Sequence, residues 1–176
     1  MLIEASQSVL VLVDLQSRLM PAIHRGEEVA SQCVRIGSIA GLLDVPVIGT
    51  EQNPAGLGHN VDEVKRLCGS TVVKTHFDAC ADGLLETLPS QRRSAIVAGC
   101  EAHVCMLQTA MGLLAGGYEV SILRDAVGSR RESDRDAALD RLKQAGARLV
   151  TVEMVAFEWL RDSSHPQFRE VLKLIK

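Results

Sequence analysis

The chain has 176 residues, 47% apolar and 23% charged, the balance of an ordinary globular protein with room for one large core. Aromatic residues make up only 3%, so platforms for stacking nucleic-acid bases are scarce and the core has to be built from Val, Leu, Ile and Ala. A net charge of −3 without a basic stripe offers no footprint for a phosphate backbone, so nucleic acid is not an expected partner.

The first residues, MLIEASQSVL, carry Glu4 and no basic cluster, unlike a secretory leader. The apolar run at 9–13 is far short of the roughly 20 residues that a bilayer span requires, so no membrane association is expected. Cys33, Cys68, Cys80, Cys100 and Cys105 form no CxxC pair, and their number is odd. Reduced thiols and a cytoplasmic setting follow as expectations.

Residues 8–14 (SVLVLVD) form a continuous apolar run ending in a carboxylate, the pattern of a strand buried on both faces. A helix is predicted over 27–43, with Val29, Cys33, Ile36 and Ala40 on one face. A second strand is predicted at 45–50, a helical segment at 61–67, a third strand at 70–75 (STVVKT) and a fourth at 94–99 (SAIVAG). CEAHVCMLQTAMGLLAGG then reads as a helix closed by Gly116 and Gly117. A fifth strand at 118–123, a helix at 132–144, a sixth strand at 148–152 and helical segments at 155–161 and 166–175 complete the chain. Strands alternating with helices imply right-handed crossovers and a mostly parallel sheet covered on both faces. The expected fold is a single three-layer α-β-α domain over 1–176.

Ligands of open α/β sheets sit beyond the carboxyl ends of the strands, where strand order reverses. Polar residues at predicted strand ends are therefore the candidates: Asp14, Glu51, Lys74, then Cys100, Glu101, His103 and Cys105, and Asp125. Asp14 directly follows five apolar residues, and Lys74 sits in an apolar context, VVKTHF, where an unpaired lysine is rare. Capping by Asp14 and edge protection by Lys74 are the structural alternatives. Cys105 falls at the start of a predicted helix after a buried strand, where backbone N–H groups and the helix dipole favour a thiolate. No glycine-rich nucleotide motif is present, and no cofactor is expected.

The segments VLVLVDLQ, VVKTHF and GCEAHVCMLQTA together resemble the isochorismatase-like cysteine hydrolases, a resemblance running from Val9 to the C-terminus. TEQNPAGLG at 50–58 and HPQF at 165–168 resemble the subgroup of isochorismatase domain-containing proteins. The resemblance implies a Rossmann-like sheet ordered 3-2-1-4-5-6 and a triad of Asp14, Lys74 and Cys105. It also implies an oxyanion hole from the backbone N–H groups of Glu101 and Cys105, with a non-proline cis peptide at Cys100–Glu101. In that order Lys74 must reach across one strand to Asp14, roughly 9–10 Å at about 4.8 Å per strand. Gln16, Glu51 and His103 are expected to line a substrate pocket. Nicotinamidases of the superfamily bind a metal after the second strand, but here His59 stands alone in EQNPAGLGHN, so no metal is expected. The implied activity is cleavage of an amide-type C–N bond in a small molecule through a thio-acyl intermediate, in a homo-oligomer. A non-catalytic oligomeric scaffold and a thiol redox sensor pairing Cys105 with Cys100 are the competing readings.

Overall fold

All six residues of β1 (Ser8–Val13) are buried, with Val9, Val11 and Val13 packed on one side of the sheet and Leu10 and Leu12 on the other. Burial on both faces is the habit of an interior strand in a covered parallel sheet. In the structure, a computed structural model that describes Met1–Lys176, β1 lies between β2 (Val47–Gln52) and β4 (Ser94–Cys100). With β3 (Ser70–Lys74), β5 (Glu119–Gly128) and β6 (Arg148–Val150) these make one six-stranded parallel sheet, ordered β3-β2-β1-β4-β5-β6. The architecture and strand order are those expected from the sequence.

The helices are α1 (Gly26–Leu42), the single turns α2 (Pro54–Leu57), α3 (Asp62–Lys65) and α4 (Leu84–Thr87), then α5 (Leu107–Ala115), α6 (Glu132–Gln144), α7 (Val152–Leu160) and α8 (Phe168–Ile175). α1, α7 and α8 cover the face that carries Leu10, Leu12, Ile96 and Leu123. α4, α5 and α6 cover the face that carries Val9, Val11, Val97 and Ile122. Each such aliphatic side chain contributes about 1.5–3 kcal/mol on burial, which holds the layers together without many aromatics.

Several boundaries differ from the sequence-based expectation. β2 continues through Glu51 and Gln52, and the predicted 61–67 helix shrinks to the turn α3. β5 runs on to Gly128, because a register shift against β4 between Val97 and Gly99 brings Val127 and Gly128 opposite Gly99 and Cys100. Exposed Arg124 and Asp125 interrupt its apolar pattern, so Asp125 lies within the strand, where its carboxylate accepts from the Val152 N–H at the start of α7.

Candidate active site

β1 and β4 are neighbours on either side of the reversal in strand order, and their carboxyl ends form the crevice. Gly99, at φ +113°, permits this: a Cβ there would stand 2.1 Å from the Val13 carbonyl oxygen. The close approach sets the Cys100–Glu101 peptide, which is cis, beside the end of β1. Asp14 follows with φ +48°, a left-handed conformation that aspartate tolerates better than most residues.

The Asp14 side chain is wholly buried. Its Oδ1 accepts from Thr50 Oγ1 at 2.6 Å and its Oδ2 from Lys74 Nζ at 2.8 Å. Lys74 ends β3, opposite Gln52 in the β2–β3 register, and its stem spans β2 to reach Asp14. Its three ammonium hydrogens have three acceptors: Asp14 Oδ2, Gln52 Oε1 at 2.6 Å and the His76 carbonyl at 3.4 Å. Such partners offset the cost of taking the lysine head group out of water.

Cys105 lies in a π-helical turn, Ala102–Met106, between β4 and α5, rather than at the first residues of a regular α-helix. It is buried, with Sγ 3.9 Å from Gln52 Oε1. Burial pushes its thiol up to about 12; the Asp14 carboxylate adds to the rise and the Lys74 ammonium opposes it. Burial thus opposes the thiolate that the helix dipole would favour. Desolvation outweighs the dipole because the sulfur has lost its water.

The other candidates divide. The Glu101 carboxylate accepts from Arg130 Nε at 2.9 Å, and its carbonyl accepts from the Val104 and Met106 N–H groups. His103 Nδ1 is bonded to Ser129 Oγ at 2.9 Å. Gln16 is fully buried and clamps the following loop: Nε2 donates to the Gln52 and Gly58 carbonyls while Oε1 accepts from the Gln52 N–H. Glu51 accepts from the Asn60 N–H and lies 2.9 Å from His59 Nδ1. Gln16 and Glu51 thus both hold the loop after β2. His59 and Glu51 gain no third partner, and no group of three or more His, Cys, Asp or Glu side chains converges to hold a metal. Thr50 and Gln52, given no role in the sequence reading, join the cluster; the available signals were their place in the TEQNPAGLG segment and at the carboxyl end of the strand that Lys74 has to cross.

The isochorismatase domain model matches residues 8–154, which includes every one of these positions. The chain belongs to the isochorismatase family. It is 41% identical over 171 residues to the mouse isochorismatase domain-containing protein 2A, covering 96% of this chain and 82% of that protein. It is 35% identical over 175 residues to isochorismatase family protein 1A of Dictyostelium discoideum, covering 95% and 85%. Among solved structures, the MAR1 ribonuclease of Caenorhabditis elegans superposes with a TM-score of 0.94 at 38% identity, over 99% of this chain and 92% of that one. This isochorismatase-family chain is accordingly a hydrolase by family. None of its helices is long and apolar enough to cross a membrane.

Proposed function

We propose that the protein cleaves an amide-type C–N bond of a small molecule through a thio-acyl intermediate on Cys105, with no metal or cofactor. The observation that supports this most is the solvent-free Asp14–Lys74 pair standing with Gln52 around the Cys105 sulfur. A buried ion pair is a weak source of stability, so its presence at the crevice favours a chemical role.

In this reading Asp14 takes the thiol proton as sulfur attacks the carbonyl carbon. The C=O π electrons move to oxygen, and the N–H groups of Glu101 and Cys105 receive the oxyanion; losing one such donor typically costs about 10²–10³ in rate. Collapse breaks the C–N bond, and Asp14 returns its proton to the leaving nitrogen. Water, deprotonated by Asp14, then attacks the thioester and releases the acid and the thiol. Lys74 holds the carboxylate in place through the bond from Nζ to Oδ2. The test is a panel of small amides offered to the wild type and to Cys105→Ala: turnover confined to the wild type supports the proposal, and turnover by both overturns it.

One observation favours a second reading, ribonucleolysis: the name of the C. elegans structure. The net charge of −3 argues against it, since RNA binding ordinarily rests on clustered cations. Incubation with single-stranded RNA, with Cys105→Ala as control, distinguishes the two. The redox reading lacks geometric support, because Cys100 packs in the core on the α1 side, against Met20, and Cys105 in the core on the α5 side. The proposal includes a homo-oligomer: Val73 and Phe77, both exposed, lie on and just after edge strand β3, beside Lys74. Light scattering at the 19.0 kDa monomer mass at micromolar concentration would reject association.

A further inference from the structure

Gln52 is held from both ends. Its backbone N–H and carbonyl are gripped by the buried Gln16 amide, at 2.8 and 3.0 Å. Its side-chain Nε2 donates to the Thr75 carbonyl at 2.8 Å, which settles the orientation of the carboxamide. The oxygen must then face inward, toward Lys74 Nζ at 2.6 Å and Cys105 Sγ at 3.9 Å. The opposite orientation would press an NH₂ group against an ammonium and leave both without an acceptor.

We propose that Gln52 is a positioning residue for the nucleophile: its Oε1 engages one Lys74 hydrogen and accepts the Cys105 S–H, which keeps the sulfur protonated in the resting site. This rests on reading Cys105 as the nucleophile. An acceptor oxygen stabilises S–H and opposes S⁻. The Lys74 ammonium shares its hydrogens with Asp14, Gln52 and the His76 carbonyl, which divides its pull on the sulfur.

The charged groups acting on Sγ are Asp14 at the end of β1 and Lys74 on β3. The neighbouring titratable groups are engaged elsewhere. Cys100 packs on the opposite face of the sheet, His103 binds Ser129, and Glu101 binds Arg130. The His76 ring lies against Asp82. Glu132 and Arg135 of α6, which packs on the π-helical turn, line a separate cleft with Arg124 and Asp125.

The test is the pH dependence of Cys105 alkylation by iodoacetamide, followed by peptide mass in the full chain. Gln52→Met, close in size but without the acceptor, is expected to move the midpoint toward acid. Gln52→Glu, which adds a negative charge, is expected to move it toward alkali. A shift of about one unit changes the thiolate fraction about tenfold; weaker nucleophilicity at lower pKa trims the labelling gain of Gln52→Met to roughly threefold at fixed pH. Shifts in the same direction for both variants, or no shift, would overturn the proposal. If Gln52→Glu does not fold, Gln52→Met alone decides, and unchanged or slower labelling overturns it. Alkylation needs no substrate, so failure to find amide turnover leaves this result standing, and the converse also holds.

Discussion

Lys74 Nζ stands 2.8 Å from Asp14 Oδ2, and neither side chain reaches solvent. Two charges removed from water are costly, and removing one partner strands the other, typically at about 3–5 kcal/mol. Lys74→Met is therefore expected to lower the urea unfolding free energy by about that amount. The double variant Asp14→Leu with Lys74→Met should recover much of the loss, since well-packed apolar replacements of a buried pair are often neutral. A double variant no more stable than Lys74→Met would mean that the site is held by something other than this pair.

The buried thiols make stability depend on pH in the alkaline range. Cys105 is raised to about 12, and the partly buried Cys68 and Cys80 to about 11 and about 12, chiefly by desolvation. Because the folded values lie above the unfolded one, the unfolded chain binds fewer protons between the two, and stability falls there as pH rises. The thiol contribution is complete below about pH 9 and is lost toward about pH 12. The thermal midpoint of the wild type should fall more steeply across that window than that of Cys105→Ala. Parallel curves would mean that the thiol is not desolvated as described.

Gly99→Ala tests the crevice itself. A methyl group would meet the Val13 carbonyl oxygen at 2.1 Å, at a backbone angle of φ +113° that side chains rarely adopt. Strain and overpacking together imply a loss of about 3 kcal/mol or more in urea unfolding. A variant with wild-type stability would show that β1 and β4 do not meet this closely.

Asp14 and Lys74 stood out as charged residues in apolar strand segments, and the motifs VLVLVDLQ, VVKTHF and GCEAHVCMLQTA, through the family they resemble, joined them with Cys105 as a candidate triad. Their convergence depends on strand order, which the motifs implied and the sheet displays. Gln52 was not legible: a glutamine before a loop carries no signal of its own, and its place arises from the register that sets it opposite Lys74. The hydrogen bonds that Gln16 and Glu51 make were not legible for a related reason, since sequence position locates a side chain near a strand end but not the backbone groups it will satisfy. The continuation of β5 was hidden by Arg124 and Asp125, and the upward push that burial gives the Cys105 thiol is reported by no local pattern.

The chemistry is tested most directly by rapid-quench mass spectrometry of the protein during turnover of an amide found in the panel. The expected result is a population carrying the substrate's acyl mass on the Cys105 peptide, absent from Cys105→Ala, which should also lose turnover. Retention of most activity by Cys105→Ala, with no acyl adduct on the wild type, would contradict covalent catalysis by this cysteine and the amide-cleavage reading with it.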